Sequence, residues 1–285
     1  QDSNELISSG DLQLMRCSEC GLVQLGSSFP SEEMYGENYG YRSGLNSMMV
    51  NHLERIAQGL TRKIDFKDHD VICDIGSNDG TFLKNFEDTN LNLIGIDPTA
   101  GKYLDHYSKD VTVVADFFSA DNYFTHQSRE AKLVTSIAMF YDLEDPRSFV
   151  SDIEKCLTED GIWHFEQSYM PTMVETLSYD TICHEHLLYL SMHDIQKILK
   201  ESGFEIISAS LNSINGGSIA VTARKRSPKE DYVSPPFVEF LLKNEIKAGY
   251  RDGKALRKFA TDAETHRKEL GELITAYLDQ GYEVF

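Results

Sequence analysis

Val71-Ile72-Cys73-Asp74-Ile75-Gly76-Ser77-Asn78-Asp79-Gly80-Thr81-Phe82-Leu83-Lys84 decides how this chain is read. Four of its first five residues are apolar, two glycines punctuate the middle, and a helical pattern follows. That order suits a buried strand running into a tight turn and then a helix N-terminus. In an open α/β sheet such a turn lies at the carboxyl end of a strand, where ligands bind. An ordinary strand-to-helix turn looks the same, so the flanking sequence has to decide.

Working outward, apolar runs at 91–96, 111–115, 133–137 and 162–166 read as further strands. Helical spacing covers 45–64, 146–157 and 192–202, the last closed by Gly203. Glu159-Asp160-Gly161 reads as the turn from helix to fifth strand. Strands at 204–211 and 218–223, joined by Asn212-Ser213-Ile214-Asn215-Gly216-Gly217, form a hairpin, so the last strand is expected to run antiparallel. Strands alternating with helices indicate βαβ units and a parallel sheet. Past Arg224-Lys225-Arg226, helices are expected at 235–250 and 253–280. In the second, Leu256, Phe259, Ala260, Ala263, Leu270, Leu273, Ile274, Tyr277 and Leu278 mark a face to be buried on the domain or on a partner subunit.

The chain has 285 residues and 41% hydrophobic content, enough for one main domain with appendages. Its 46 acidic residues outweigh 27 basic ones, a formal net charge of -19. So acidic a surface repels phosphate backbones and argues against nucleic-acid binding. No apolar run approaches a membrane span. Five cysteines, an odd number with Cys73 inside the first strand, suggest reduced thiols and a cytoplasmic protein. Gln1 rather than Met opens the chain, and Gly281-Tyr282-Glu283-Val284-Phe285 looks like a strand beginning, so a piece of a longer protein is expected.

The expected organisation is a partial zinc ribbon and tyrosine loop over 1–44, the α/β domain over 45–226, and, over 227–285, a helical extension expected to lead to a missing C-terminal domain. Cys17-Ser18-Glu19-Cys20-Gly21 is one zinc-ribbon knuckle, two thiolates where a structural site needs four ligands. Either the other pair lies outside the sequence or the pair is an empty remnant. Tyr35-Gly36-Glu37-Asn38-Tyr39-Gly40-Tyr41-Arg42-Ser43 is either a lid over a site or a surface loop.

Asp97 ends the second strand, 21 residues after Gly76, where an acid accepts the hydroxyls of an adenosine ribose. Dinucleotide-binding folds share that device and differ at the turn, which here carries Asn78 and Asp79 instead of G-x-G-x-x-G. Asp79 repels a pyrophosphate, whereas an ammonium-bearing ligand suits these acceptors. Asp116-Phe117 after the third strand offers a polar acceptor and an aromatic face for an adenine.

With Asp74-Ile75-Gly76-Ser77-Asn78-Asp79-Gly80, Asp97 and Asp116-Phe117, residues 45–225 resemble the class I S-adenosylmethionine-dependent methyltransferases. The resemblance implies a Rossmann-like, seven-stranded α/β sheet with its last strand antiparallel. It also implies S-adenosylmethionine as cofactor, held by Asp74, Gly76, Ser77, Asn78, Gly80, Asp97, Asp116, Phe117 and Ala138. Met15 to Gln24, Tyr39-Gly40-Tyr41-Arg42-Ser43 and Tyr179-Asp180-Thr181-Ile182-Cys183-His184-Glu185-His186-Leu187-Leu188-Tyr189 resemble the sugar C-methyltransferases acting on nucleotide-linked keto-deoxysugars. That likeness implies a catalytic Glu185–His186 pair and an active-site tyrosine at Tyr39 or Tyr41, with zinc held in part by Cys17 and Cys20. Two departures stand out: a tyrosine before the Glu-His pair is Cys183 here, and a histidine after the fourth strand is Tyr141. The family's second cysteine pair and its C-terminal α/β domain are not found in the sequence, so poor turnover is one expectation.

Residues 168–191 concentrate the chemistry. H-E-x-x-H is absent, since position 188 is Leu, so a metal here would need ligands from elsewhere. In an extended backbone His184 and His186 share one face and Glu185 takes the other. C-methylation needs a proton removed beside a carbonyl; a His oriented by a carboxylate can take it, and a Tyr or second His can stabilise the enolate. The candidates are thus His184, Glu185, His186, Tyr39, Tyr41 and Tyr141. Arg42, Lys102 and Arg224-Lys225-Arg226 are possible phosphate contacts. An O- or N-methyltransferase, or a cofactor-binding fragment without turnover, is the alternative. Oligomerisation through the C-terminal helices is expected to be possible.

Overall fold

The computed structural model describes residues 9–36, 39–229 and 231–284; Glu37 and Asn38 of the tyrosine loop, and Phe285, lie outside the described residues. In chain order the elements are β1 (Leu14–Arg16), β2 (Val23–Leu25), α1 (Ser31–Met34), α2 (Ser47–Thr61), β3 (Val71–Ile75), β4 (Asn92–Ile96), β5 (Val111–Val114), α3 (Ala120–His126) and β6 (Ala131–Ile137). Then come α4 (Pro146–Cys156), β7 (Leu157–Ser168), α5 (Met170–Glu175), β8 (Leu188–Tyr189), α6 (Met192–Glu201), β9 (Phe204–Asn212), β10 (Ser218–Lys225), α7 (Pro236–Ala248) and α8 (Lys254–Asp279).

The main sheet has seven strands in the order β5-β4-β3-β6-β7-β10-β9. β3 pairs parallel with β4 and β6, and β10 runs antiparallel to both β7 and β9. All five residues of β3 are buried, as a strand covered on both faces requires. On one face, Ile72, Leu93 and Leu133 pack with Met49, Leu53 and Leu60 of α2 and with Phe82 and Phe86. On the other, Cys73, Ile94 and Val134 join Phe149, Ile153, Ile195 and Leu199 from α4 and α6 around Trp163 and Phe165. Asn46 caps α2, Asp145 caps α4, and Ser191 with Asp194 forms a capping box on α6.

The helix expected after the glycine turn shrinks to a 3-10 turn at Leu83–Phe86. The Asn85 amide donates to the Phe82 carbonyl and the Thr89 hydroxyl to that of Phe86, satisfying acceptors that a longer helix would use. Residues 158–161, expected to include the turn into the fifth strand, lie within β7. They bulge from it, since Ala131 pairs with Leu157 but Leu133 with Ile162. At the other end, residues 282–284 form no strand.

β1, β2 and β8 form a second, antiparallel sheet. Val23 and Leu25 pack there with Met170, Met173, Tyr189, Tyr250 and Phe259. The expected helical hairpin is different in detail: α7 packs on α6 and β9, α8 on α5. Of the face expected to be buried on α8, Phe259 is buried, while Leu270, Leu273, Ile274, Tyr277 and Leu278 are exposed. No helix among the described residues is long and apolar enough to cross a membrane.

Gly80 has φ +73°, and a Cβ there would sit 2.7 Å from the Tyr107 ring. Gly80→Ala therefore combines backbone strain with a clash against a packed ring. It should cost about 2 kcal/mol, measured as a lower urea midpoint at unchanged m-value; an unchanged midpoint would show that the turn relaxes freely.

Candidate functional site

The parallel strands deliver their C-terminal ends to one edge, and a 430 Å³ cavity opens there. Its walls include Asp74, Gly76, Ser77 and Asn78 from the turn, Asp97 and Thr99 after β4, Phe117 and Phe118 after β5, and Ala138 and Asp142 after β6. Of the residues expected at the cofactor, Asp116 is exposed and outside this lining; its Oδ1 accepts the Phe117 N–H at 2.7 Å. Gly80 lies behind the turn against Tyr107, whose hydroxyl donates to the Asn78 carbonyl at 2.8 Å.

Asp97 locks the turn. Its Oδ2 accepts the Asn78 N–H at 2.9 Å, and its Oδ1 accepts the Thr99 N–H and hydroxyl, each at 2.6 Å. Three of about four acceptor positions are therefore filled, leaving one for a ribose hydroxyl. The polar side chains of the turn do not have the expected role of receiving an ammonium. Asn78 Oδ1 accepts the Ser43 N–H, and its amide donates to the Tyr41 carbonyl. Asp79 accepts from Thr81, Arg42 and Gly44. Burial alone would raise the Asp79 carboxyl; those donors together hold it below the ordinary value.

Asp74, at the end of β3, also lines the cavity. Burial pushes it up to about 7, against a 2.6 Å hydrogen bond from the Thr135 hydroxyl. Its stabilising contribution is full below the ordinary carboxylate pKa of about 4 and is lost as pH rises through about 7.

A second cavity of 440 Å³ adjoins the first and shares Tyr39, Tyr41 and Ala138 with it. Glu185, His186 and Tyr141 line it, with Glu33, Met34 and Asn215. His186 Nδ1 lies 2.9 Å from the Thr181 carbonyl, which can only accept, so Nδ1 carries a proton and the neutral imidazole has its lone pair on Nε2. The Tyr141 ring meets the imidazole edge-on at 4.5 Å between centroids. Burial raises the phenols of Tyr39 and Tyr141, keeping both as donors.

The arrangement expected for an extended 184–186 backbone is not found. His186 N–H bonds back to the Cys183 carbonyl in a turn, so Glu185 and His186 line the cavity together. His184 instead packs on Phe29 and reaches the Gly10 carbonyl. Arg42 is engaged with Asp79, Lys102 with the Gly36 and Tyr39 carbonyls, Arg224 with Glu205 and Lys225 with Glu154. None of these is an open phosphate contact.

Asn215, at φ +51° on the β9–β10 turn, was missed. The antiparallel strand that makes the hairpin also brings its turn to the C-terminal end of β7, since Ser218 pairs with Ser168. Asp142 and Tyr35 were missed as well. Burial raises both groups, which interact electrostatically, and neither Asp142 Oδ1 nor Tyr35 Oη has a well-formed hydrogen bond. Cys17 and Cys20 share a knuckle, and hydrogen bonding with the Cys20 and Glu19 backbone lowers the Cys17 thiol. Among the described residues no group of three potential ligands gathers, so these residues do not make up a zinc site.

A methyltransferase domain matches residues 49–209, and a C-methyltransferase C-terminal domain matches residues 213–285. The chain belongs to the S-adenosylmethionine-dependent methyltransferase family. The second match corrects the expectation that nothing of the C-terminal domain is present. C-methyltransferase NovU of Streptomyces niveus is 24% identical over 275 residues, 96% of this chain. The chain spans 65% of that protein's length. Among solved structures, a chain from the complex of the Haloferax volcanii Trm112 methyltransferase activator with a methyltransferase is 13% identical. It covers 65% of this chain and 95% of its own, at a TM-score of 0.49. Magnesium protoporphyrin IX methyltransferase from Synechocystis, with bound S-adenosylhomocysteine, is 13% identical, covering 69% and 93%, at 0.47.

The lining has the chemistry that S-adenosylmethionine needs: Asp74 would offer a carboxylate to the cationic end, Asp97 an acceptor, and Phe117 and Phe118 aromatic surface. An ammonium beside Asp74 favours its ionised form, so binding below pH 7 must release a proton. S-adenosylhomocysteine should bind more weakly as pH falls below 7, by up to about tenfold per unit, and Asp74→Asn should flatten that slope. Calorimetry in buffers of different ionisation heat reads the proton; a wild-type affinity independent of pH would refute the pairing.

Proposed function

We propose that the chain methylates carbon in a nucleotide-linked keto-deoxysugar. The observation that carries this reading is the cavity that gathers Glu185, His186, Tyr141, Tyr39 and Tyr41 beside the cofactor cavity. S-adenosylmethionine, when bound, supplies an electrophilic methyl group. His186 Nε2 takes the proton next to the ketone, its imidazole oriented by the Thr181 carbonyl. Tyr39 or Tyr141 donates to the enolate oxygen as charge develops there. Glu185, on the same wall, stabilises the imidazolium that results. His184, packed on Phe29, acts by holding the N-terminal segment against the catalytic turn.

Among the described residues, no Lys or Arg lines the 440 Å³ cavity. It accommodates the sugar ring rather than the pyrophosphate. The relative named a C-methyltransferase supports carbon as the acceptor. A cytoplasmic setting accords with five free thiols, and self-association through α8 accords with the exposed Leu273, Tyr277 and Leu278.

Incubation with methyl-labelled donor and paired nucleotide sugars, ketone against the corresponding alcohol, tests the reading. Label should enter a carbon–carbon bond in the ketone alone. Glu185→Gln and His186→Asn should each lower turnover by about 100-fold or more with S-adenosylhomocysteine affinity unchanged. Label on oxygen or nitrogen would make this an O- or N-methyltransferase, and binding without transfer to any sugar would leave a cofactor-binding fragment.

A further inference from the structure

Tyr39 and Tyr41 stand in a segment that the hydrophobic core does not hold. From Tyr39 to Leu45 no residue is fully buried; Tyr39 is half-buried, Tyr41 is 46% and Leu45 73% exposed. The segment has no regular structure beyond a single 3-10 turn at Ser43–Leu45. Polar bonds to the glycine turn fasten it at residues 41–44, beside bonds from Lys102 Nζ to the Tyr39 carbonyl and from the Tyr103 hydroxyl to the Tyr41 carbonyl. Arg42 Nε donates to Asp79 Oδ2 at 3.0 Å and the Gly44 N–H to the same oxygen at 3.1 Å. The Ser43 N–H donates to Asn78 Oδ1 at 2.9 Å, and the Asn78 amide returns a bond to the Tyr41 carbonyl at 3.0 Å.

The anchors are as buried as the segment is exposed: the Asp79 side chain is 1% accessible. Its other oxygen takes the Thr81 hydroxyl and N–H, so the carboxylate has four donors and no position left for a ligand. Position 44 is shaped to the same contact, because a Cβ there would lie 2.5 Å from Asp79 Oδ2.

We propose that Asp79 is a positioning residue for the substrate wall: by holding Arg42 and Gly44 it sets Tyr39 and Tyr41 in place. It thereby couples the order of that wall to the turn that receives the cofactor. The coupling with cofactor rests on the methyltransferase reading; the clamp itself does not. Because Asn78 also gives its N–H to Asp97, a ligand that rigidifies the turn rigidifies the wall, and by reciprocity an ordered wall tightens the ligand.

Trypsin cleavage after Arg42, quantified by mass spectrometry on the full chain, reads the clamp directly. Hydrogen bonds to a charged group make Asp79→Asn about tenfold faster to cleave there without ligand. Gly44→Ala should accelerate the cut similarly while keeping the carboxylate, provided that circular dichroism shows both variants folded. Should Asp79→Asn fail to fold, Gly44→Ala decides alone. S-adenosylhomocysteine should slow the cut in the wild type and do so less in the variants. With a turned-over sugar, KM should rise about tenfold while kcat changes about twofold. Unchanged ligand-free cleavage in the folded variants overturns the proposal. So does a loss of S-adenosylhomocysteine affinity in Asp79→Asn with cleavage unaltered, which would make Asp79 a cofactor ligand. A wild type that binds no S-adenosylhomocysteine defeats the cofactor reading instead, and the ligand-free cleavage rates still decide the clamp.

Discussion

The Asp97 carboxylate, accepting the Asn78 N–H and both donors of Thr99, is the contact on which the binding edge depends. Adjacent parallel strands end with backbone groups that the sheet can no longer pair, and a buried unpaired amide costs about as much as a lost hydrogen bond. Asp97 resolves that at β3 and β4 together. It holds Asn78 in a left-handed conformation, at φ +51°, that a non-glycine residue rarely adopts. From that conformation the Asn78 side chain points to the tyrosine segment. One carboxylate therefore organises the binding edge directly and the tyrosine segment at one remove.

The turn that carries Glu185 and His186 depends on a different constraint. Residues 169–191 leave β7 at the sheet edge and return through β8, which has no place in the main sheet and pairs with β2. Met170, Met173 and Tyr189 from this insertion pack with Val23 and Leu25 near one end of the chain and with Tyr250 and Phe259 near the other. Glu185 and His186 are thus held by segments far apart in sequence. The Leu25 N–H to Leu187 carbonyl bond, at 2.9 Å, ties β2 directly to the segment that carries Glu185 and His186.

Legibility in the sequence followed the type of interaction. Strand β3, the antiparallel β10 and the capped helices could be read because hydrophobic burial and backbone geometry act over a few neighbouring residues. The acid at position 97 was legible for the same reason, being fixed by the strand end. The targets of Asn78 and Asp79 were not, because their partners come from residues 41–44, more than 30 positions upstream. Likewise, whether His184 or Glu185 sides with His186 turned on one backbone bond, His186 N–H to the Cys183 carbonyl, which alternation along an extended strand does not foresee. The apolar spacing on α8 correctly foretold a helix. It could not say that burial would reach only as far as Phe259's neighbourhood, since that depends on what surface lies opposite.

The sequence by itself determined the doubly wound sheet, the place of the ligand edge, and the residue types available there. These follow from local periodicity, turn chemistry and the burial of apolar strands. Tertiary structure alone decided which polar side chains face a ligand and which are spent on the protein. Asp74 was left lining a cavity, while Asp79 and Asn78, the residues that first marked the turn as unusual, were turned to face residues 41–44. The reason is that a carboxylate or amide is satisfied by any donor or acceptor that arrives within hydrogen-bonding distance, and only the folded chain determines which one does.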